Sequence, residues 1–131
     1  MVGLLIVTHD QIGTALYETA THMLGMCPLM TEVLPVMGDS DPDAMVRRAS
    51  KLIDRLDQGD GVLVLTDMYG STPSNIAARL AVNHHVLVVS GINLPMLVRV
   101  MNYPTLGVME LALKAESGGR DGIFYCVPDI E

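Results

Sequence analysis

Leu4-Leu5-Ile6-Val7 is an apolar run without alternation, and it ends abruptly on Thr8-His9-Asp10. This feature limits the fold more than any other. A strand with one wet face alternates apolar and polar side chains, whereas an unbroken run suits a strand covered on both faces. Two similar runs follow, Val62-Leu63-Val64-Leu65 and His85 to Val89. Segments with helical spacing separate them. Strands alternating with helices predict an α/β fold, an open and mostly parallel sheet with helices on both faces.

The helical segments read as follows. Gln11 to Leu24 carries Ile12, Leu16, Ala20, Met23 and Leu24 on one stripe, with Gly25 as its stop. Thr31 to Val36 is a weaker strand, and Pro35 assigns it to an edge. Asp41 caps a helix that opens on Pro42, with Met45, Val46, Ala49, Leu52, Ile53 and Leu56 on its inner face. Thr72 is the expected N-cap, and Pro73 the expected first residue, of a helix running through Val82. Another helix starts at Leu94 and reaches about Tyr103. Thr105 to Ser117 forms the last, with Leu106, Val108, Met109, Ala112 and Leu113 inside and Gly118-Gly119 as its stop. Ile123 to Val127 reads as a short final strand.

Composition excludes several classes of function. A chain of 131 residues fits one domain, residues 1–131, with a real core. A net charge of −7 argues against a nucleic-acid surface, which needs clustered Lys and Arg. No apolar run approaches the roughly 20 residues of a membrane span, and the N-terminus lacks the basic segment of a secretory signal. Cys27 and Cys126 are far apart and in no CxxC pattern, so they read as small buried or half-buried residues. These points predict a cytoplasmic protein.

In an open parallel sheet, ligands bind outside the carboxyl ends of the strands. Three strands here end in suitable polar residues: His9, Asp67, and Ser90 with Asn93. If the strands carrying His9 and Asp67 are neighbours, the two side chains can meet. A carboxylate that accepts a proton from one imidazole nitrogen fixes the tautomer and leaves the other as an outward lone pair. It also stabilises the positive charge that develops when that nitrogen attacks an electrophile. The next loop adds an anion site. Gly70 lets backbone approach a ligand, Ser71 and Thr72 offer hydroxyls, and the helix start adds free N–H groups and a positive dipole end. A nucleophilic imidazole beside an anion site points to phosphoryl transfer to and from His9.

Other readings fit less well. There is no GxxxxGK[ST], no GxGxxG after the first strand and no GxSxG. His22 falls on the polar side of its helix. His84 and His85 precede a strand at its amino end, the wrong edge. A metal site would need His9, Asp67 and a further ligand; Asp10 is near, but the rest of a set is not evident, so no metal is expected.

Three segments together, Leu5–His9, Gly61–Asn75 and Gly91–Leu97, resemble the mannose-type EIIA component of the bacterial phosphoenolpyruvate:sugar phosphotransferase system. The resemblance covers nearly the whole chain. It implies that His9 accepts a phosphoryl group from HPr and donates it to an EIIB component, that Asp67 hydrogen-bonds His9, and that Gly70, Ser71 and Thr72 lie against the phosphoryl group. It implies a sheet of order 2-1-3-4, which places the His9 and Asp67 strands side by side. It also implies a homodimer, with Ile123–Val127 exchanged as an antiparallel strand. No cofactor is implied, because the donor is itself a phosphohistidine. Many members have Gly-Gly-Ser-Pro where this chain has Gly70-Ser71-Thr72-Pro73, so a positive φ at Ser71 would cost more than at glycine. The chain stops soon after the last strand, so EIIB is expected on a separate chain, and contact with a membrane permease only through it. The alternative is a stand-alone regulatory EIIA whose phosphorylation state controls binding to a protein partner. A third reading, a flavodoxin-like small-anion or nucleotide-binding domain, ranks last because no ribose- or base-reading residues stand out.

Overall fold

The computed structural model describes residues 1–82 and 85–128. In chain order the elements are β1 (Gly3–His9), α1 (Ile12–Leu24), β2 (Thr31–Val36), α2 (Pro42–Leu56), β3 (Val62–Thr66), α3 (Thr72–Leu80), β4 (Val86–Ser90), α4 (Leu94–Met101) and α5 (Val108–Asp121). The four strands form one sheet of order β2-β1-β3-β4, with every pairing parallel. The order is the one the family resemblance implies, and the edge position of the Pro35 strand is the one expected from its proline.

The unbroken run of β1 is explained by two cores. Side chains alternate across a strand. Leu4 and Ile6 therefore join Leu63 and Leu65 against Ala20 of α1, Leu97 and Val100 of α4 and Leu111 of α5. Leu5 and Val7 join Val62 and Val64 against Ala49 and Ile53 of α2 and Ile76 and Ala77 of α3. Leu4 to Val7 are fully buried. At about 1.5–3 kcal/mol per buried aliphatic side chain, this strand is a rigid base for whatever follows it.

Helix faces and ends differ from the sequence expectation at several points. In α1 the buried positions are Gly13 and Ala20, whereas Ile12 and Met23 are exposed. In α5 Leu111 and Ala115 are buried, and Met109 and Leu113 face out. The expected stop at Gly118-Gly119 is also overturned, because α5 continues to Asp121. These glycines let α5 press against α4. A Cβ at Gly118 would lie 2.5 Å from Arg99 Cβ, and one at Gly119 would lie 2.9 Å from Met96 Cε. A pair of glycines here serves helix packing, not termination.

Ile123–Val127 forms no strand within the single chain. Ile123, Phe124, Tyr125 and Val127 are exposed. A strand needs a free edge to pair with, and the segment pairs with none in its own sheet. Cys126 is exposed rather than buried, and both cysteines are free thiols. His22 is exposed, and His85 sits in an exposed turn ahead of β4; His84 lies outside the described residues. Among the described residues, no helix is long and apolar enough to cross a membrane.

Candidate functional site

Register brings the site together. β1 and β3 pair Val7 with Thr66, so the residues just beyond, Thr8-His9 and Asp67, leave the sheet side by side. The β2-β1-β3-β4 order reverses between β1 and β3. Helices from these two strands go to opposite faces, which opens a crevice at this topological switch point.

Asp67 holds His9 at two points. Its Oδ2 accepts the His9 backbone N–H at 3.0 Å and lies 2.7 Å from His9 Nδ1. Its Oδ1 accepts the Met68 backbone N–H at 3.1 Å. The side chain of Asp67 is 11% exposed, that of His9 41%. Burial alone would raise the Asp67 carboxyl's pKa. Hydrogen bonds from the His9 backbone and ring, with the attraction of the ring's charge, outweigh it and hold the group below its ordinary value. An ionised carboxylate only accepts, so Nδ1 carries a proton, and in the neutral ring Nε2 keeps the lone pair. Nδ1 is engaged, so the nitrogen left for chemistry is Nε2.

The turn from β1 into α1 fixes the direction of His9. Thr8 is fully buried. Its Oγ1 accepts the Gly13 N–H at 2.8 Å and donates to the His9 carbonyl at 3.3 Å. Gly13 must be glycine, since a Cβ would sit 2.8 Å from both Thr8 Oγ1 and Ile6 Cγ2. Sequence reasoning missed both residues. The available signal was a threonine closing an apolar run with a glycine five residues on, and it is weak by itself.

The loop after β3 follows the expected logic with its ends shifted by one residue. α3 begins at Thr72, and Ser71 occupies the N-cap, where Thr72 was expected. Ser71 makes no side-chain cap; its hydroxyl donates to the Met68 carbonyl. The left-handed backbone falls on Gly70, at φ +84°, and Ser71 has φ −84°. Serine at position 71 therefore costs no backbone strain. First-turn N–H groups of a helix lack intrahelical acceptors, and in α3 they belong to the segment that opens beside His9.

An open cleft of about 380 Å³ lies at this edge, lined by His9, Asp10, Met37, Ser40, Pro42 and Thr72 among others. Of the three expected anion-binding residues, Thr72 lines the cleft; Gly70 and Ser71, in the preceding loop, do not. The β2–α2 loop supplies the opposite wall. Its position after a parallel strand is the sequence signal that it shares the edge.

Ser90 and Asn93 do not join His9. Ser90 Oγ is 2.8 Å from Thr66 Oγ1. Asn93 Oδ1 caps α4 by accepting the Met96 N–H at 2.9 Å, and its Nδ2 donates to the Gly119 carbonyl at 3.0 Å. Both line a different cavity, between β4 and α5. Among the described residues, no group of three or more His, Cys, Asp or Glu converges as a metal site would require.

A parallel sheet of order 2-1-3-4 carrying a carboxylate-oriented imidazole at its switch point defines a class of α/β domain built around one strand-end histidine. Comparison with known proteins specifies the family. The sequence pattern of the EIIA-man family, described as PTS system fructose IIA component, matches residues 3–111. The chain belongs to this mannose-type IIA family of the phosphotransferase system. It is 30% identical over 127 residues to the mannose-specific EIIAB component of the PTS in Escherichia coli K12. That match covers 93% of this chain but 38% of the relative, so the chain spans well under half the length of that protein. Among solved structures, the phosphotransferase system component EIIA of Streptococcus agalactiae superimposes with a TM-score of 0.81 at 25% identity, covering 95% of this chain and 97% of that one. The mannose/sorbose-specific IIA subunit of Enterococcus faecalis superimposes with a TM-score of 0.87 at 20% identity, covering 99% and 98%, and supports the fold.

Proposed function

We propose that this chain is a phosphohistidine carrier in sugar phosphotransfer, taking a phosphoryl group from phospho-HPr on His9 and handing it to an EIIB component. The observation that carries this reading is the His9–Asp67 contact of 2.7 Å at Nδ1, which leaves Nε2 as a lone pair beside the cleft. Family membership supports the same reading.

Transfer then runs as a displacement at phosphorus. The lone pair of His9 Nε2 attacks. The Nε2–P bond forms as the N–P bond of the donor's protonated phosphoimidazole breaks. The donor imidazole leaves neutral, and the positive charge passes to the His9 ring. Nδ1 keeps its proton, and the Asp67 carboxylate stabilises that charge. On this reading Thr72 and the opening turn of α3 hold phosphoryl oxygens. Donation to EIIB is the same step in reverse, with His9 as leaving group. Metal and organic cofactors have no role in either step.

The test is intact mass after incubation with phosphoenolpyruvate, enzyme I and HPr. One acid-labile phosphoryl group is expected, and none in His9→Ala. Uptake by His9→Ala would remove the assignment.

We also read Ile123–Val127 as a strand exchanged between two copies in a homodimer. Phe124 and Tyr125 are 73% and 87% exposed in the single chain, and β4 ends the sheet with a free edge. Light scattering should give a dimer for the intact chain and a monomer after truncation at Gly122; a dimer that survives truncation would exclude the exchange.

A further inference from the structure

Asp10 takes no part in the transfer just described, yet it follows His9 directly and lines the same cleft. Its backbone is in the left-handed region, at φ +44°, where glycine is the unstrained choice. Among the described residues it is the one non-glycine with this conformation. The backbone duty of the position is a single N–H donated to the Val36 carbonyl at 3.0 Å. Any residue with an N–H could supply that bond. Aspartate and asparagine tolerate this conformation better than other side chains, so the turn accounts for a short polar residue but not for its charge. The side chain is exposed, and none of the ion pairs among the described residues involves it.

Resting on the reading of His9 as phosphoryl carrier, we infer that Asp10 sets the transfer potential of that site. Asp10 and His9 line one cleft, so the charge of Asp10 acts on a phosphoryl group carried by His9. The two negative groups repel, so the phosphorylated state is raised relative to the free one. Phospho-His9 becomes a stronger donor and His9 a weaker acceptor. Asp67 acts in the opposite sense, because its carboxylate faces the positive ring. The pair of carboxylates flanking His9 thus divides the electrostatic work: one steadies the ring, the other loosens the phosphoryl group. For charges several ångströms apart at a solvated edge, the interaction is worth roughly 3- to 10-fold in an equilibrium constant.

The experiment measures the equilibrium between phospho-HPr plus chain and HPr plus phospho-chain, with both partitions read by intact mass. This constant is independent of how the partners dock. A docking role for Asp10 would change rates and leave it unmoved. Asp10→Asn removes the charge and still tolerates the left-handed backbone. Asp10→Gly removes both charge and strain. Both variants should move the equilibrium toward phospho-chain by about 3- to 10-fold at low salt, with the shift shrinking as ionic strength rises. An unchanged constant in Asp10→Asn overturns the inference, as does a shift insensitive to salt. A shift in Asp10→Gly alone assigns the effect to backbone strain and overturns it equally. If the wild-type chain takes up no phosphoryl group on His9, the carrier reading fails and this inference fails with it; labelled wild type with unshifted variants overturns the role of Asp10 alone.

Discussion

Two strand ends on the same sheet edge carry comparable polar residues and do different things. At β1 and β3, His9 meets Asp67 and one ring nitrogen stays uncommitted. At β4, Ser90 and Asn93 spend their polar atoms inside the fold, on Thr66, on the first turn of α4 and on the Gly119 carbonyl. The difference follows from topology. The β1–β3 boundary is where the order reverses and helices diverge to opposite faces, so a crevice opens there. Beyond β4, α4 and α5 fold back against the same face, and the polar groups at their junction are needed as caps and ties. A polar strand end becomes a site only where the architecture leaves one of its atoms unused.

Breaking the first end should have the larger effect. On the proposed carrier reading, Asp67→Ala removes the acceptor that fixes the Nδ1–H tautomer and the group that stabilises the charged ring. Phosphoryl transfer from HPr should slow by roughly 100-fold, measured in rapid-mixing kinetics, while the chain stays folded. An unchanged rate would take Asp67 out of the mechanism. Breaking the second end should do the reverse. Asn93→Ala removes the α4 cap and should cost about 1 kcal/mol of stability, seen in urea unfolding, with the transfer rate within about twofold of wild type. A large rate loss without a stability change would place Asn93 in the site after all.

The smallest effect separates the two ends by pH. The folded Asp67 carboxyl lies below its ordinary value, near 3.9 when unfolded. Its contribution to stability is therefore complete above about pH 4 and is lost as pH falls through the lower folded value. Thermal melts between about pH 5 and pH 2 should show the wild type losing more stability than Asp67→Asn. Parallel curves would mean that the contact does not favour the ionised carboxylate.

Much of this was legible before the structure, for a physical reason. Unbroken apolar runs encode buried strands, and β1, β3 and β4 lie where those runs lie; β1 and β3 are covered on both faces, while β4, at the sheet edge, is mostly half-buried. His9 and Asp67 could be named because each closes such a run. The helix faces were less legible. Met109 and Leu113 look like core residues by spacing, but α5 turns Leu111 and Ala115 inward instead. Its facing surface is set by the close approach of Gly118 and Gly119 to Arg99 and Met96, a contact between two helices that a pattern within one helix does not contain. The Gly118-Gly119 pair misled for the same reason.

The sequence by itself determined where the strands of the sheet and the helices between them lie, Ile123–Val127 excepted, and it placed a histidine and an aspartate at strand ends. Those are consequences of local pattern, because burial on one or both faces is written as the period of apolar residues. Tertiary structure alone decided the rest. The β1–β3 register brought Oδ2 to Nδ1. The loop geometry put the left-handed residue at Gly70, leaving Ser71 unstrained. The β2–α2 loop and Asp10 became walls of the His9 cleft. Each depends on residues distant in the chain meeting at one edge, and local periodicity carries no record of such meetings.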